Sequence, residues 1–305
     1  MSLDQNLLKR FEKNIYNNVN LSKFSWFNLG GPAEYLFKPE NESQLIEFFK
    51  ENKNKKLKIT ILGAGSNTLI RDKGIKGIVI KLGPKFSEIK LIDKDTIEVG
   101  AATLDRKVSN FAKENGIGNF EFLSCIPGSI GGAVVMNSGC YGDDISKILQ
   151  SITVIEKNSC KKKEIKHNEI EFFYRGTSLS DELIITSVKL KGVVQFKKDI
   201  EEKQKRYIEK KKLSQPSQIK TCGSTFKNIL NKKKAWELIK ETGCDNFKVG
   251  DAVISKKHCN FFVNNGNAKS SDIESLINKV KQTVNEKTGV NLELEIKIVG
   301  EKEKI

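Results

Sequence analysis

The spacing of apolar residues divides this chain into short β-type runs separated by a few helical stretches. At the N-terminus, MSLDQNLLKRFEKNIYNN carries apolar residues at helical spacing among charges, which predicts a helix. Residues 21–100 then alternate β-rich runs at 35–37, 59–62, 77–82 and 96–99 with one helical pattern at 43–52, as in a small α+β unit. Residues 104–115 repeat apolar positions every three or four and stop at Gly116, a helix with its terminating glycine. Strands return at 151–156 and 182–190. A lysine- and glutamate-rich helical stretch at 196–212 leads to helices at 235–242 and 270–287 and strands at 251–255 and 261–264. The closing run, 291–299, puts Leu292, Leu294, Ile296 and Ile298 on one face and Glu293, Glu295 and Lys297 on the other, as a half-buried strand should. The chain shows no internal repeat and no low-complexity linker.

Composition narrows the class. A chain of 305 residues is long enough for two or three domains and a substantial core without disulfide staples. The six cysteines form no Cys-x-x-Cys pair, and His167 and His258 are the only histidines, so no metal site is expected and the thiols read as reduced and cytosolic. No segment approaches the roughly 20 apolar residues of a membrane span, so a soluble, unexported protein is expected. The net charge of +15 would suit an anionic partner such as nucleic acid. Against that, the basic residues are spread along the chain, and no zinc finger or aromatic RNA-binding signature accompanies them. Only Arg10, Arg71, Arg106, Arg175 and Arg206 are arginines among 53 basic residues. That ratio reads as a solvated lysine surface, and it singles out each arginine as a place needing a planar, two-pronged cation.

Two glycine-rich stretches carry the candidate chemistry. GAGSN, at 63–67, follows an apolar run and cannot be a dinucleotide fingerprint, because the sixth position is Thr68. It reads either as a plain tight turn or as a nest of backbone N–H groups around a phosphate. The second, IPGSIGGAVVMNSGCYG at 126–142, has glycine at 128, 131, 132, 139 and 142, letting backbone approach a ligand closely.

These stretches, with the upstream NLGGPA at 28–33, closely resemble the UDP-N-acetylenolpyruvoylglucosamine reductase (MurB) family from about residue 20 to residue 300. The resemblance implies an α+β chain with an FAD-binding fold of the vanillyl-alcohol-oxidase (PCMH) type in two subdomains, 1–84 and 85–200. A smaller α+β substrate-binding domain at 201–290 follows, with a C-terminal strand, 291–305, returning to the flavin. It implies non-covalent FAD held by Gly63, Ala64, Gly65, Ser66 and Asn67 and by Pro127, Gly128, Ser129, Gly131, Gly132 and Asn137, with NADPH as hydride donor. The substrate would be a UDP-sugar enolpyruvyl ether, reduced to UDP-N-acetylmuramate in peptidoglycan precursor synthesis.

FFYRGTSL places Tyr174-Arg175 at the family's Tyr-Arg pair, and CGSTFKN matches its Gly-Ser-x-Phe-Lys-Asn signature. By that match Arg175 stabilises charge developing on the substrate carboxylate, and Ser224 protonates the substrate carbon after hydride transfer, helped by Lys227 or the backbone. NLELEIKIVG resembles the family's closing strand and, aligned from Gly300, selects Glu295 as the third catalytic residue. Tyr174, Lys212, Lys227 and Asn228 are implied contacts to substrate or NADPH. Departures are Ile229 where proline is usual, Cys125 for glycine and Cys140 for alanine, both read as packing residues. The length resembles the shorter family type lacking a tyrosine-loop insertion. A cytoplasmic monomer without nucleic-acid or membrane partners is expected. The alternatives are another flavin oxidoreductase of this fold and a basic nucleic-acid-binding protein.

Overall fold

The structure is a computed structural model that describes residue 3 and residues 5–52, 57–229 and 233–302. The first residues of the expected N-terminal helix, and residues 303–305 of the expected closing segment, lie outside that range. The chain divides into two compact units. The first comprises Met1–Tyr16, Leu36–Ala64 and Gly77–Lys211, and the second Asn17–Tyr35, Gly65–Lys76 and Lys212–Ile305.

The first unit is built on a five-stranded antiparallel sheet, ordered Lys162–Lys166, Leu149–Glu156, Leu183–Lys191, Thr96–Gly100, Ile89–Asp93. Its central strands are β-branched and bury Ile152, Val154, Val188, Ile97 and Val99 completely. The helix Asp105–Glu114 lays Val108 and Ala112 into the same core, with Phe120, Phe122, Ile130 and Val134. A separate aromatic cluster joins Phe11, Phe37, Phe48 and Phe49, three edge-on contacts and one stack at 4.3–5.7 Å. The strand Ile59–Ile61, which delivers the first glycine loop, runs parallel to Ile75–Ile80 at the edge of a four-stranded sheet.

The second unit packs the helix Ser270–Thr288, through Ile273, Leu276, Ile277, Val280 and Val284, against the three-stranded sheet Lys248–Val249, Ala252–Ile254, Phe262–Asn264. Asp72 accepts hydrogen bonds from the N–H groups of Ser270 (2.9 Å) and Ser271 (2.8 Å), so a carboxylate satisfies the positive end of that helix. Thr68–Ile70 pairs in parallel with Lys297–Val299. No helix among the described residues is long and apolar enough to cross a membrane.

Four elements differ from the sequence expectation. The N-terminal helix ends at Arg10, and Ile15–Asn20 is a strand. The asparagines at 14, 17, 18 and 20 are poor helix formers, and Asn18 adopts φ +50°, so the apolar spacing there serves a different backbone. The closing strand is confined to Lys297–Val299, with one bridge between Leu294 and Phe226 before it. Lys162–Lys166 forms an edge strand despite its charges, since an edge strand of this sheet exposes both of its ends and most of its side chains. Finally, the second glycine stretch contains a short helix, Ile130–Val135, which its glycine pair disguised.

Candidate active site

GAGSN lies across the unit boundary, with Gly63-Ala64 in the first unit and Gly65-Ser66-Asn67 in the second. In the first unit, a Cβ on Gly63 would sit 2.8 Å from Ser129 Oγ, so a side chain there would have to push the Ser129 hydroxyl aside. Lys81 donates from Nζ to the Gly63 carbonyl at 2.6 Å, and burial, then the nearby Lys38, lowers its pKa. The Pro127–Gly132 segment is sewn down by Asp105 N–H to Gly128 O (3.1 Å), Ile130 N–H to Thr103 O (2.8 Å) and Gly131 N–H to Ala101 O (2.9 Å). A side chain on Gly131 would strike Ala101 Cβ at 2.9 Å. The N–H groups of Ala64 and Gly132 find no hydrogen-bond acceptor among the described residues. Unspent donors on two loops narrowed by glycine fit a phosphate-bearing cofactor such as FAD.

Asp105 opens the neighbouring helix, fully buried with neither carboxylate oxygen hydrogen-bonded among the described residues, and burial raises its pKa so that it holds its proton. The Cys140 thiol donates to Phe122 O at 3.5 Å, and the same thiol, turned to Cys125, lowers the Cys125 pKa to about 6 by hydrogen-bonding its thiolate.

Tyr174 and Arg175 are the two loop residues of the hairpin Phe172–Phe173/Gly176–Thr177. Arg175 adopts φ +60°, stacks its guanidinium over the Tyr174 ring at 4.9 Å and donates from Nη2 to Gly139 O at 2.9 Å. Asn137 does not present a free amide. Its Nδ2 donates to Phe173 O (3.2 Å) and its Oδ1 accepts from Ser146 N–H (3.1 Å).

In the second unit, the returning C-terminal chain bonds to Asn67 on one side and to the CGSTFKN segment on the other. Glu295 N–H donates to Thr225 O and Lys227 N–H to Glu293 O, both at 2.9 Å. Asn67 Nδ2 donates to Glu295 O at 3.0 Å, and Lys297 N–H to Asn67 O at 2.9 Å. Gly65 is obligatory: at φ +69° its Cβ would lie 1.8 Å from Phe24 O. Ser224 is half-buried and bridges Phe261 through its backbone, while its hydroxyl makes no hydrogen bond among the described residues. Lys227 Nζ lies 3.6 Å from Glu293 Oε2.

The structure thus brings Ser66, Asn67, Ser224, Lys227 and Glu295 into one neighbourhood of the second unit. In the first it brings Gly63 to Ser129, and Asn137 to the hairpin whose turn carries Tyr174 and Arg175. Asn228 is turned to a structural task, its Oδ1 accepting from Ala235 N–H at 3.1 Å, and exposed Lys212 gives its carbonyl to Lys257. Two residues of weight were missed. Asn260 holds the Ser224 segment as a surrogate strand, accepting from Phe226 N–H (2.9 Å) and donating to Phe226 O (2.8 Å). Lys81 carried no signal beyond being one more lysine.

Residues 215–299 match the family profile described as the C-terminal domain of UDP-N-acetylenolpyruvoylglucosamine reductase, and residues 33–159 match an FAD binding domain. A UDP-N-acetylenolpyruvoylglucosamine reductase of Pelagibacter ubique is 45% identical across 98% of this chain and 100% of its own. That of Wolbachia pipientis subsp. Culex pipiens is 42% identical across 93% and 95%. The crystal structure of UDP-N-acetylenolpyruvylglucosamine reductase (MurB) from Thermus caldophilus superposes with a TM-score of 0.80 at 31% identity, covering 92% of this chain and 97% of that one. Similarity of this depth in both sequence and fold, over the segments that build the glycine loops and the Ser224 neighbourhood, shows that the chain belongs to the UDP-N-acetylenolpyruvoylglucosamine reductase family.

Proposed function

We propose that this chain reduces the enolpyruvyl ether of UDP-N-acetylglucosamine to UDP-N-acetylmuramate, using NADPH and bound FAD, in peptidoglycan precursor synthesis. The observation that carries the reading is the pair of bonds from Asn67 Nδ2 to Glu295 O and from Glu295 N–H to Thr225 O, which bring a glycine-loop residue, the CGSTFKN segment and the backbone of Glu295 together. Gly63 to Asn67 and Pro127, Gly128, Ser129, Gly131 and Gly132 would hold FAD, which when bound would supply two-electron hydride chemistry between NADPH and the substrate carbon.

The protein's own residues manage the charge and the proton. Hydride arriving at the enolpyruvyl CH₂ places negative charge on the adjacent carbon and its carboxylate. Arg175, its planar cation already oriented by Gly139 and Tyr174, offers parallel N–H donors to that developing aci-carboxylate. Ser224 then donates its hydroxyl proton to the carbanionic carbon. A serine alone is a weak acid, so the alkoxide requires stabilisation. Lys227, held near the carboxylate of Glu293, keeps a cation three residues along the same segment as Ser224. Glu295 orients the substrate, and Tyr174, Lys212 and Asn228 are assigned to its binding. The subdivisions 1–84, 85–200, 201–290 and 291–305 are retained as functional segments, in a cytoplasmic monomer.

The purified protein should be yellow, with a flavin that acid or heat releases intact. NADPH beyond one equivalent per flavin should be consumed only when the enolpyruvyl substrate is added. A colourless protein that takes up no added FAD overturns the reading. The lysine surface gives a second expectation: affinity for mixed duplex DNA no tighter than about 10⁻⁴ to 10⁻⁶ M, collapsing with salt. Nanomolar, sequence-selective binding in a filter or gel-shift titration at physiological salt would instead establish a nucleic-acid partner.

A further inference from the structure

We infer that Asn137 is a positioning residue for Arg175, acting on the charge-stabilising step, rather than a contact to the cofactor. The inference rests on the role given to Arg175 above.

Arg175 occupies a left-handed backbone conformation, φ +60°, which a residue with a long side chain adopts only when its surroundings impose it. The hairpin is short, pairing Phe172↔Thr177 and Phe173↔Gly176 and closed below by Ser178 N–H to Glu171 O and Glu171 N–H to Ser178 Oγ, both at 3.0 Å. Those bonds join its two strands to each other, and the restraint that fixes the turn against the rest of the unit comes from outside the hairpin.

Three side-chain bonds provide it. Asn137 Nδ2 donates to Phe173 O at 3.2 Å on the incoming strand, Thr177 Oγ1 donates to Val135 O at 3.3 Å on the outgoing strand, and Arg175 Nη2 donates to Gly139 O at 2.9 Å at the tip. Val135, Asn137 and Gly139 belong to one short stretch, so the turn is pinned to a single support. Of the three, Asn137 is the bond that the support itself donates, and it is buried at 6% exposure.

The other end of the amide is equally committed. Oδ1 accepts from Ser146 N–H at 3.1 Å, and the Ser146 carbonyl in turn accepts from His167 Nε2 at 3.0 Å. His167 stacks on Phe172, ring centroids 5.0 Å apart, which returns the chain of contacts to the incoming strand of the same hairpin. Asn137 thus closes a ring through Ser146, His167 and the hairpin, with its acceptor and a donor both spent on protein backbone. An amide so used locks the hairpin, and a small rotation of that hairpin would swing the guanidinium away from the substrate carboxylate.

The test compares Asn137→Ala and Asn137→Asp with Arg175→Ala in the full-length enzyme. Asn137→Asp keeps the shape and the Ser146 acceptor but puts an acceptor where Phe173 O needs a donor, so it should behave like alanine. Both Asn137 variants should bind FAD, measured by quenching of flavin fluorescence, within about threefold of the parent, and bleach with NADPH at the parent rate. Recovery of the flavin band with the enolpyruvyl substrate should slow by about 10- to 10²-fold, the penalty of misplacing a group by around an ångström. If Asn137→Ala recovers at the parent rate while Arg175→Ala does not, the inference is wrong and the role of Arg175 stands. If Arg175→Ala itself recovers normally, that role fails and the inference with it. Loss of FAD binding, or slow bleaching, in both Asn137 variants overturns the inference in favour of a cofactor contact.

Discussion

Replacing Ser224 by alanine will leave flavin bleaching by NADPH at its parent rate and slow recovery with the enolpyruvyl substrate by at least about 10²-fold, the typical loss on removing a general acid. The asymmetry follows from chemistry. Taking hydride from NADPH needs no proton from Ser224, whereas completing the substrate C–H bond at the carbanionic carbon does. The geometry makes the variant clean. Ser224 is fixed through backbone pairing with Phe261, and the adjacent Thr225 through Asn260 O at 2.7 Å, so removing the hydroxyl leaves the segment's supports in place. Arg175→Lys should damage the same step, because an ammonium cannot supply two parallel hydrogen bonds to an aci-carboxylate. Stopped-flow absorbance follows each half separately. Normal recovery in Ser224→Ala would remove Ser224 from the mechanism and pass the acid role to Tyr174 or Lys227 for the same test.

Much of this site could be read in one dimension because its parts are local. The glycines of 63–67 and 126–142 announce close backbone approach by composition alone, and GSTFKN is contiguous. The helix at Asp105–Glu114 was legible for the same reason, its apolar spacing and terminating Gly116 lying within twelve residues. What stayed hidden depends on separation. Asn67 bonds to Glu295 across 228 positions, and Asn260 replaces a strand partner for Phe226 across 34. No spacing rule connects such residues, because an amide that pairs with distant backbone looks like any loop asparagine. The closing strand was overread for a related reason: its alternation is real at Leu292 and Ile296, both buried, but Leu294 is only partly covered and pairing before Lys297 reduces to one bridge. Alternation reports which side faces a core, not whether a partner strand is present.

Arg71→Ala should lower the unfolding free energy of the second unit by roughly 2–4 kcal/mol, the range for removing one partner of a hydrogen-bonded, partly buried charge pair. Arg71 is one of five arginines in a lysine-rich chain, and it uses what lysine lacks. Nε and Nη2 donate to the two oxygens of Glu274 at 2.9 Å each, and Nη1 donates to Gly300 O at 2.9 Å. With side-chain exposures of 19% and 25%, the pair is shielded enough for those bonds to count. The fork joins the strand Thr68–Ile70 to the helix Ser270–Thr288 and to the end of Lys297–Val299, the strand that follows Glu295. Arg71→Lys should recover only part of the loss, since one ammonium cannot span both carboxylate oxygens and the Gly300 carbonyl. The hydrogen bond from Arg71 lowers the Glu274 pKa, so the stabilisation is present above the ordinary glutamate range and disappears as pH falls through the depressed value. Trp26 and Trp236 both lie in the second unit and are the chain's only tryptophans, so urea titration followed by their fluorescence reports this unit directly. A parent-like midpoint for Arg71→Ala at neutral pH, or an Arg71→Lys variant as stable as the parent, would show that the fork contributes nothing beyond a surface charge.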